Sequence, residues 1–211
     1  MKKLLIAIQI FILILFASCA KDTIEFNSTI NYGSFTDARN DEVYKTVEIG
    51  DQIWMAENLR SFSNDPNEVS YCNYGKLYED SHLNESCPEG WHLPDTTEWQ
   101  TLIDFLGGNN YAGGKLKEVG NTHWESPNKG ATNSCGFTAL GAGSANYLNG
   151  LKDRKKSAEF WTSTLYSDEY GFSGSSYYYV SLSNNNESVY FDNSSDNFED
   201  FERKSIRCIK N

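Results

Sequence analysis

CPEGWHLPDTTEWQTLIDFLG, residues 87–107, is the stretch from which the build of the domain reads. Pro94 precedes Asp95, a residue whose short carboxylate suits an N-cap, and Glu98 three positions later completes a capping box. Trp99, Leu102, Ile103 and Leu106 then recur at i, i+3, i+4 and i+7, which predicts a helix over Asp95–Gly107 with one apolar face. Gly107 and Gly108 stop it. Upstream, VYKTVEIG (Val43–Gly50) alternates, Gly50-Asp51 is a turn signal and Ile53-Trp54-Met55 starts a second strand, so a hairpin is expected. A shorter helix is expected over Leu77–Leu83. Downstream, FWTSTLY, YYYVSLS, SVYF and KSIRCI read as short strands between Ser, Asn, Gly and Asp turns. The whole is an α+β domain whose strands come mostly late.

The 211 residues allow one domain with a real core, and a hydrophobic share of 39% argues against wholesale disorder. A net charge of −11 excludes an electrostatic grip on nucleic acid or anionic lipid headgroups. The N-terminus carries an address. Met1-Lys2-Lys3 is a short basic segment, and Leu4–Phe16 is apolar except for Gln9. That run is too short for a permanent membrane helix and reads as the core of a signal peptide, residues 1–18. Phe16-Ala17-Ser18-Cys19 resembles the lipobox of bacterial lipoproteins, with Phe16 in place of the usual aliphatic residue. The resemblance implies that Cys19 is acylated and holds the chain on a membrane. Residues 19–35 show no sustained periodicity and are expected to be a tether, with the domain spanning 36–211.

Beyond Cys19, four cysteines remain: Cys72, Cys87, Cys135 and Cys208. In an exported chain an even count suggests two disulfides, with three connectivities open. They form no CxxC pairs and no histidine sits at ligand spacing, which argues against zinc.

Six ordered segments carry a family resemblance: DARNDEVYKTVEIGDQIWMAENL (37–59), YGKLY (74–78), CPEGWHLPDTTEW (87–99), GFTALGAG (136–143), FWTST (160–164) and SIRCI (205–209). Together they resemble the Fibrobacter succinogenes major paralogous domain. The resemblance implies a C-type-lectin-like fold, with a two-helix layer, small antiparallel sheets and a disulfide staple. It implies Cys87 paired with Cys208, leaving Cys72 with Cys135. It also implies an exported or lipid-anchored bacterial protein with no assigned reaction, expected at the outer membrane of a Gram-negative envelope, with exposure on the cell surface as the further expectation.

Candidate chemistry is sparse. His82, His92 and His123 are scattered, His92 being expected to pack beside Trp91, and no GxSxG, HExxH or glycine-rich phosphate loop is present. Acidic pairs such as Asp168-Glu169 and Glu199-Asp200 are the only basis for a carbohydrate-active enzyme, and in a chain with 29 acids they carry no weight. Calcium has two weak candidates, Ser126-Pro127-Asn128 and Asp192–Asn197, the latter without the glycine and terminal glutamate of an EF-hand loop. A solvated acidic loop is the default. Of the five tryptophans, Trp54, Trp91, Trp99 and Trp161 are expected in the core, while Trp124, in a polar stretch, is the candidate stacking platform.

Ser157–Glu202 is the stretch most informative about function. Its 46 residues hold no Lys or Arg and nine acids, amid many Tyr, Ser, Asn and Gly. This is the composition of a paratope, where rigid Tyr supplies contact area and small polar residues supply adaptable hydrogen bonds. Tyr166, Tyr170, Tyr177, Tyr179 and Tyr190 are the expected contact residues, with Tyr177 and Tyr179 on one sheet face. The expectation is a non-catalytic, membrane-anchored recognition module for a protein or glycan, without cofactor. The alternatives are a structural envelope lipoprotein and, behind it, an envelope enzyme.

Overall fold

The computed structural model describes residues 23–61, 69–71, 73–83, 85–146, 150–167, 176–194 and 202–211. Among the described residues, two helices accompany thirteen strands in two sheets, an α+β build in which all but one of the strand pairings are antiparallel.

The first sheet runs in the order β1 (Gly33–Asp37), β2 (Glu42–Ile49), β3 (Gln52–Met55), β13 (Ile209–Lys210) and β6 (Trp91–His92). The expected hairpin is β2 and β3, turning through Gly50-Asp51 with Val47 opposite Trp54. It is buried on both sides. Val47 and Trp54 enter one apolar cluster with Trp99, Leu102, Phe137 and Phe160, while Tyr44 and Met55 enter a second with Tyr78, Trp161 and Cys208. The simple in–out alternation expected of a half-buried strand therefore gives way to two cores sharing one hairpin.

The second sheet runs β11 (Val189–Asn193), β10 (Tyr177–Ser183), β9 (Ser157–Leu165), β12 (Glu202–Ser205), β5 (Gly75–Glu79) and β4 (Val69–Tyr71). A side ribbon of β7 (Ser144–Asn146) and β8 (Gly150–Lys152) joins it at β12. The helix expected over Leu77–Leu83 is corrected here: Leu77 and Tyr78 pair with Ser205 and Lys204 in β5, and only Asp80–His82 makes a single 3₁₀ turn. Cross-strand pairing outweighs local propensity where a strand has partners on both sides.

Helix α1 (Thr96–Phe105) has the cap that the sequence specifies. The Asp95 side chain accepts from Glu98 N at 2.8 Å, and the Glu98 carboxylate accepts from Asp95 N at 2.9 Å. Trp99, Leu102 and Ile103 face the first cluster, with the Trp54 and Trp99 rings 4.9 Å apart. Helix α2 (Asn109–Leu116) is the second of the two helices that the resemblance implies, at a place that no local signal in the sequence marked. Its NYAGGKL sequence contains two adjacent glycines, poor helix formers, and no apolar stripe. The glycines serve close approach: a Cβ on Gly113 would meet Ser188 O at 2.5 Å, and one on Gly114 would strike Gly130 O. Tertiary contact dictates this helix.

The Cys87–Cys208 disulfide is present, with a sequence separation of 121. The second bridge is a correction. Cys135 is a free thiol packed in the first cluster, its Sγ donating to Lys115 O at 3.2 Å, while Cys72 lies outside the described residues. A second correction concerns the segment expected as a tether. Phe26, Ile30 and Tyr32 pack on the first cluster, Glu25 N donates to Glu118 Oε1 at 2.7 Å, and Asn27 Nδ2 donates to Asn133 O. The folded unit thus begins ahead of Thr36. Cys19 and the signal segment lie outside the described residues. No helix among the described residues is long and apolar enough to cross a membrane.

Candidate functional site

Strands β9, β10 and β11 build the Tyr-rich face. Val180 and Leu182 of β10 point into the first cluster, so their neighbours Tyr177, Tyr179 and Ser181 take the opposite side. Ser181 pairs with Tyr190 and Tyr179 with Asp192 across β11, which carries Tyr190 and Asp192 onto that same side. Tyr177 and Tyr179 are half-buried and lean on the second cluster, the Tyr179 ring meeting Trp161 edge-on at 6.2 Å. Tyr190 is 49% exposed and presents its ring to solvent. Tyr166 is half-buried and lies apart from this group. It meets Tyr178, whose alternation puts it on the other side, with ring centres 5.4 Å apart. Tyr170 lies outside the described residues, as do the acidic pairs at 168–169 and 199–200.

The electrostatics of the face depend on a residue just beyond the acidic window. Lys204, on β12, is fully buried and holds its ammonium 4.2 Å from the Tyr179 ring centre and 4.7 Å from that of Trp161. It bonds Glu202 and lies 3.5 Å from Glu159. Burial, with the carboxylates of Glu159, Asp192 and Glu202, pushes the Tyr179 phenol well above its ordinary value. Tyr179 therefore stays protonated and belongs to an aromatic and ionic cluster beneath the surface. The negative charge counted along the sequence is partly neutralised there.

Trp124 is a correction. Expected as an exposed platform, it is fully buried, and its indole N–H donates to Ala139 O at 2.9 Å. Its polar neighbours in NTHWESPN suggested a loop in solvent, whereas that loop folds inward over the core. Of the tryptophans expected in the core, Trp54, Trp99 and Trp161 are fully buried, and Trp91 is half-buried and stacked on Phe35 at 4.6 Å. His92 is held at both nitrogens, 2.7 Å from Asn211 Oδ1 and 2.7 Å from Glu98 Oε1.

Two buried polar centres escaped the sequence reading. His123 Nδ1 lies 2.8 Å from Glu118 Oε2, both side chains fully buried, and Glu118 also ties down the backbone of Glu25. Sealed from solvent, the pair cannot meet a substrate in this conformation. Arg207 is fully buried and makes no direct ion pair among the described residues, although the charge of Glu57 acts on it. Its guanidinium donates to Asn58 Oδ1 and to the carbonyls of Met55, Phe137 and Thr138, and lies 4.3 Å over the Phe137 ring. Burial pushes its pKa down to about 9, still above neutrality.

For a metal, the described residues hold no group of three or more His, Cys, Asp or Glu that could ligate one. Asn128, in one of the two calcium candidates, is buried and spends its amide N–H groups on the carbonyls of Glu118 and Gly120. In the other, Ser195–Asn197 lies outside the described residues.

Among protein families, the Fibrobacter succinogenes major domain matches residues 47–210. No curated protein and no solved structure matches the chain. The match takes in β3, both helices, the second sheet and the disulfide; five of the six ordered motifs lie within it, and the first, 37–59, enters it at Val47. The chain belongs to the Fibrobacter succinogenes major domain family.

Proposed function

We propose that this protein is a lipid-anchored recognition module of the bacterial cell envelope, C-type-lectin-like in build, that binds a protein or glycan through the β9–β11 face without transforming it. Cys19, as the acylated residue, fixes it to the outer membrane. The observation that carries the reading is the alternation that puts Tyr177, Tyr179, Ser181, Tyr190 and Asp192 on the side of β10 and β11 away from the first core. Buried aromatics make the base of this face rigid, and Tyr190 is its exposed tip. Rigid aromatic anchors amid small hydroxyl and amide groups lower the entropy cost of binding. No cofactor enters the reading.

The experiment is a screen of the full-length chain in detergent on glycan and surface-protein arrays, with calcium and with EDTA, comparing Tyr190→Ala with the wild type. A ligand insensitive to EDTA and weakened by that substitution supports the reading. Loss of binding in EDTA would instead assign recognition to a metal, and turnover of a bound ligand would make the protein an enzyme.

A further inference from the structure

Helix α2 and two loops border an open cleft of about 380 Å³ that shares no lining residue with the Tyr-rich face. Its walls are Tyr111 and Lys115 from the helix, Thr132 and Ser134 from the loop after Gly130, and Glu187 from the turn between β10 and β11. We infer that this cleft is a second binding site and that it takes a neutral, hydroxyl-rich ring such as one pyranose unit of an oligosaccharide. The inference goes beyond the proposed function and does not depend on it.

Three observations carry it. The first is rigidity. Gly113 and Gly114 let the turn at 187–188 and the loop at 130 close onto the helix, and the backbone bonds Gly114 N to Glu187 O (3.2 Å) and Thr132 N to Gly114 O (2.8 Å) lock them there. Lys117, fully buried just past the helix, donates from Nζ to Lys129 O, Ser183 O and Asn186 O, each at 2.8 Å. One ammonium thus pins the segments that carry Gly130 and Glu187, so the walls are set before any ligand arrives.

The second observation is the aromatic ring. Tyr111 is 61% exposed at the cleft wall, so its ring is open to a ligand there. An exposed ring beside convergent polar groups offers a platform for the C–H face of a sugar.

The third is the polar set. Lys115 spends one N–H on Leu106 O and has two more, and Glu187 offers carboxylate lone pairs. Thr132 and Ser134 are exposed; the Thr132 hydroxyl donates to Gly114 O at 3.4 Å and keeps its lone pairs as acceptors. A phosphate would meet Glu187, and an ammonium would meet Lys115. A ring of hydroxyls, each both donor and acceptor, satisfies all four residues. The volume lies near the lower end of the roughly 300–1,000 Å³ range of ligand pockets, which suits a single ring and leaves its neighbours in solvent.

The test is titration of the full-length chain, in a detergent without a sugar headgroup, with cellohexaose, mannohexaose and maltohexaose, followed by saturation-transfer NMR and calorimetry. At least one probe is expected to bind. Tyr111→Ala should weaken it by about 10-fold or more, as expected for loss of a hot-spot aromatic. Glu187→Gln, which keeps the shape and removes an acceptor charge, should weaken it less, and Tyr190→Ala should leave it unchanged. Melting curves confirm folding, and the exposure of Tyr111 means its replacement leaves the core intact. Failure of all three probes to bind would overturn the inference. So would binding that survives Tyr111→Ala, and binding lost in Tyr190→Ala would move the sugar to the other face.

Discussion

Lys204 holds its ammonium 4.2 Å from the ring centre of Tyr179, and both residues sit under the face expected to recognise a ligand. The pair shows that Tyr179 is a foundation of this face rather than its contact surface. A fully buried ammonium between two carboxylates is costly to remove, because each acid left behind loses its partner. Lys204→Met should lower stability by about 3–5 kcal/mol. Tyr179→Ala should cost about 2–4 kcal/mol, somewhat below a fully buried aromatic. Tyr190→Ala, at an exposed position, should fall within about 0.5 kcal/mol of the wild type. Urea melts separate the three. Equal stability of all three variants would break the distinction between base and tip.

The disulfide should dominate the stability of the domain. Cys87 and Cys208 are 121 residues apart, and in the chain-entropy model a loop of that length is worth about 4–5 kcal/mol. Reduction should therefore lower the melting temperature markedly. The thiol of Cys135 behaves differently. Burial pushes Cys135 up to about 11, so it should resist Ellman's reagent at pH 8 in the native chain and react once the chain unfolds. An unfolded, unreduced chain in which Cys135 cannot be alkylated would show it bridged.

Arg207 is the cation on which two segments converge, 55–58 through Met55 O and Asn58 Oδ1 and 137–138 through the carbonyls of Phe137 and Thr138. A lysine cannot reproduce the planar fork, so Arg207→Lys should destabilise by about 3–5 kcal/mol despite keeping the charge. A denaturant midpoint unchanged by that substitution would contradict the role.

His92 gives the domain a pH signature near neutrality. Partial burial lowers its pKa, but bonds to Asn211 and Glu98 and the charges of Glu98 and Asp95 outweigh that, so the net shift is upward. A raised folded value means that the protonated ring stabilises the fold fully below about pH 6.5, the unfolded value, and the contribution fades as pH rises through the folded pKa. Glu98→Gln keeps the capping box and removes the charge. Its stability deficit against the wild type should be larger at pH 6 than at pH 8, and NMR should show His92 titrating lower. An identical deficit at both pH values would rule out the coupling.

Much of the fold was legible because its signals are local. The Asp95–Glu98 box, the stripe from Trp99 to Leu106 and the turn at Gly50-Asp51 are each specified within a few residues, and the structure has all three. What escaped was set by distant contacts. Leu77 and Tyr78 became strand because β12 and β4 flank them, and α2 exists because loops 130 and 187 press against its glycines. Trp124 illustrates the same limit at the site: polar neighbours say nothing about whether a loop folds inward. Of the tyrosines, the sequence placed Tyr177 and Tyr179 on one side correctly, but their depth depends on Trp161 and Lys204. No periodicity within Ser157–Glu202 announces a lysine two residues past its end.

Whether the β9–β11 face binds a ligand through its exposed tyrosine is decided by array binding of the full-length wild type against Tyr190→Ala. A protein or glycan ligand is expected, retained in EDTA, whose affinity falls by about 10-fold or more in Tyr190→Ala with the melting temperature unchanged. A ligand bound equally well by both chains would contradict it.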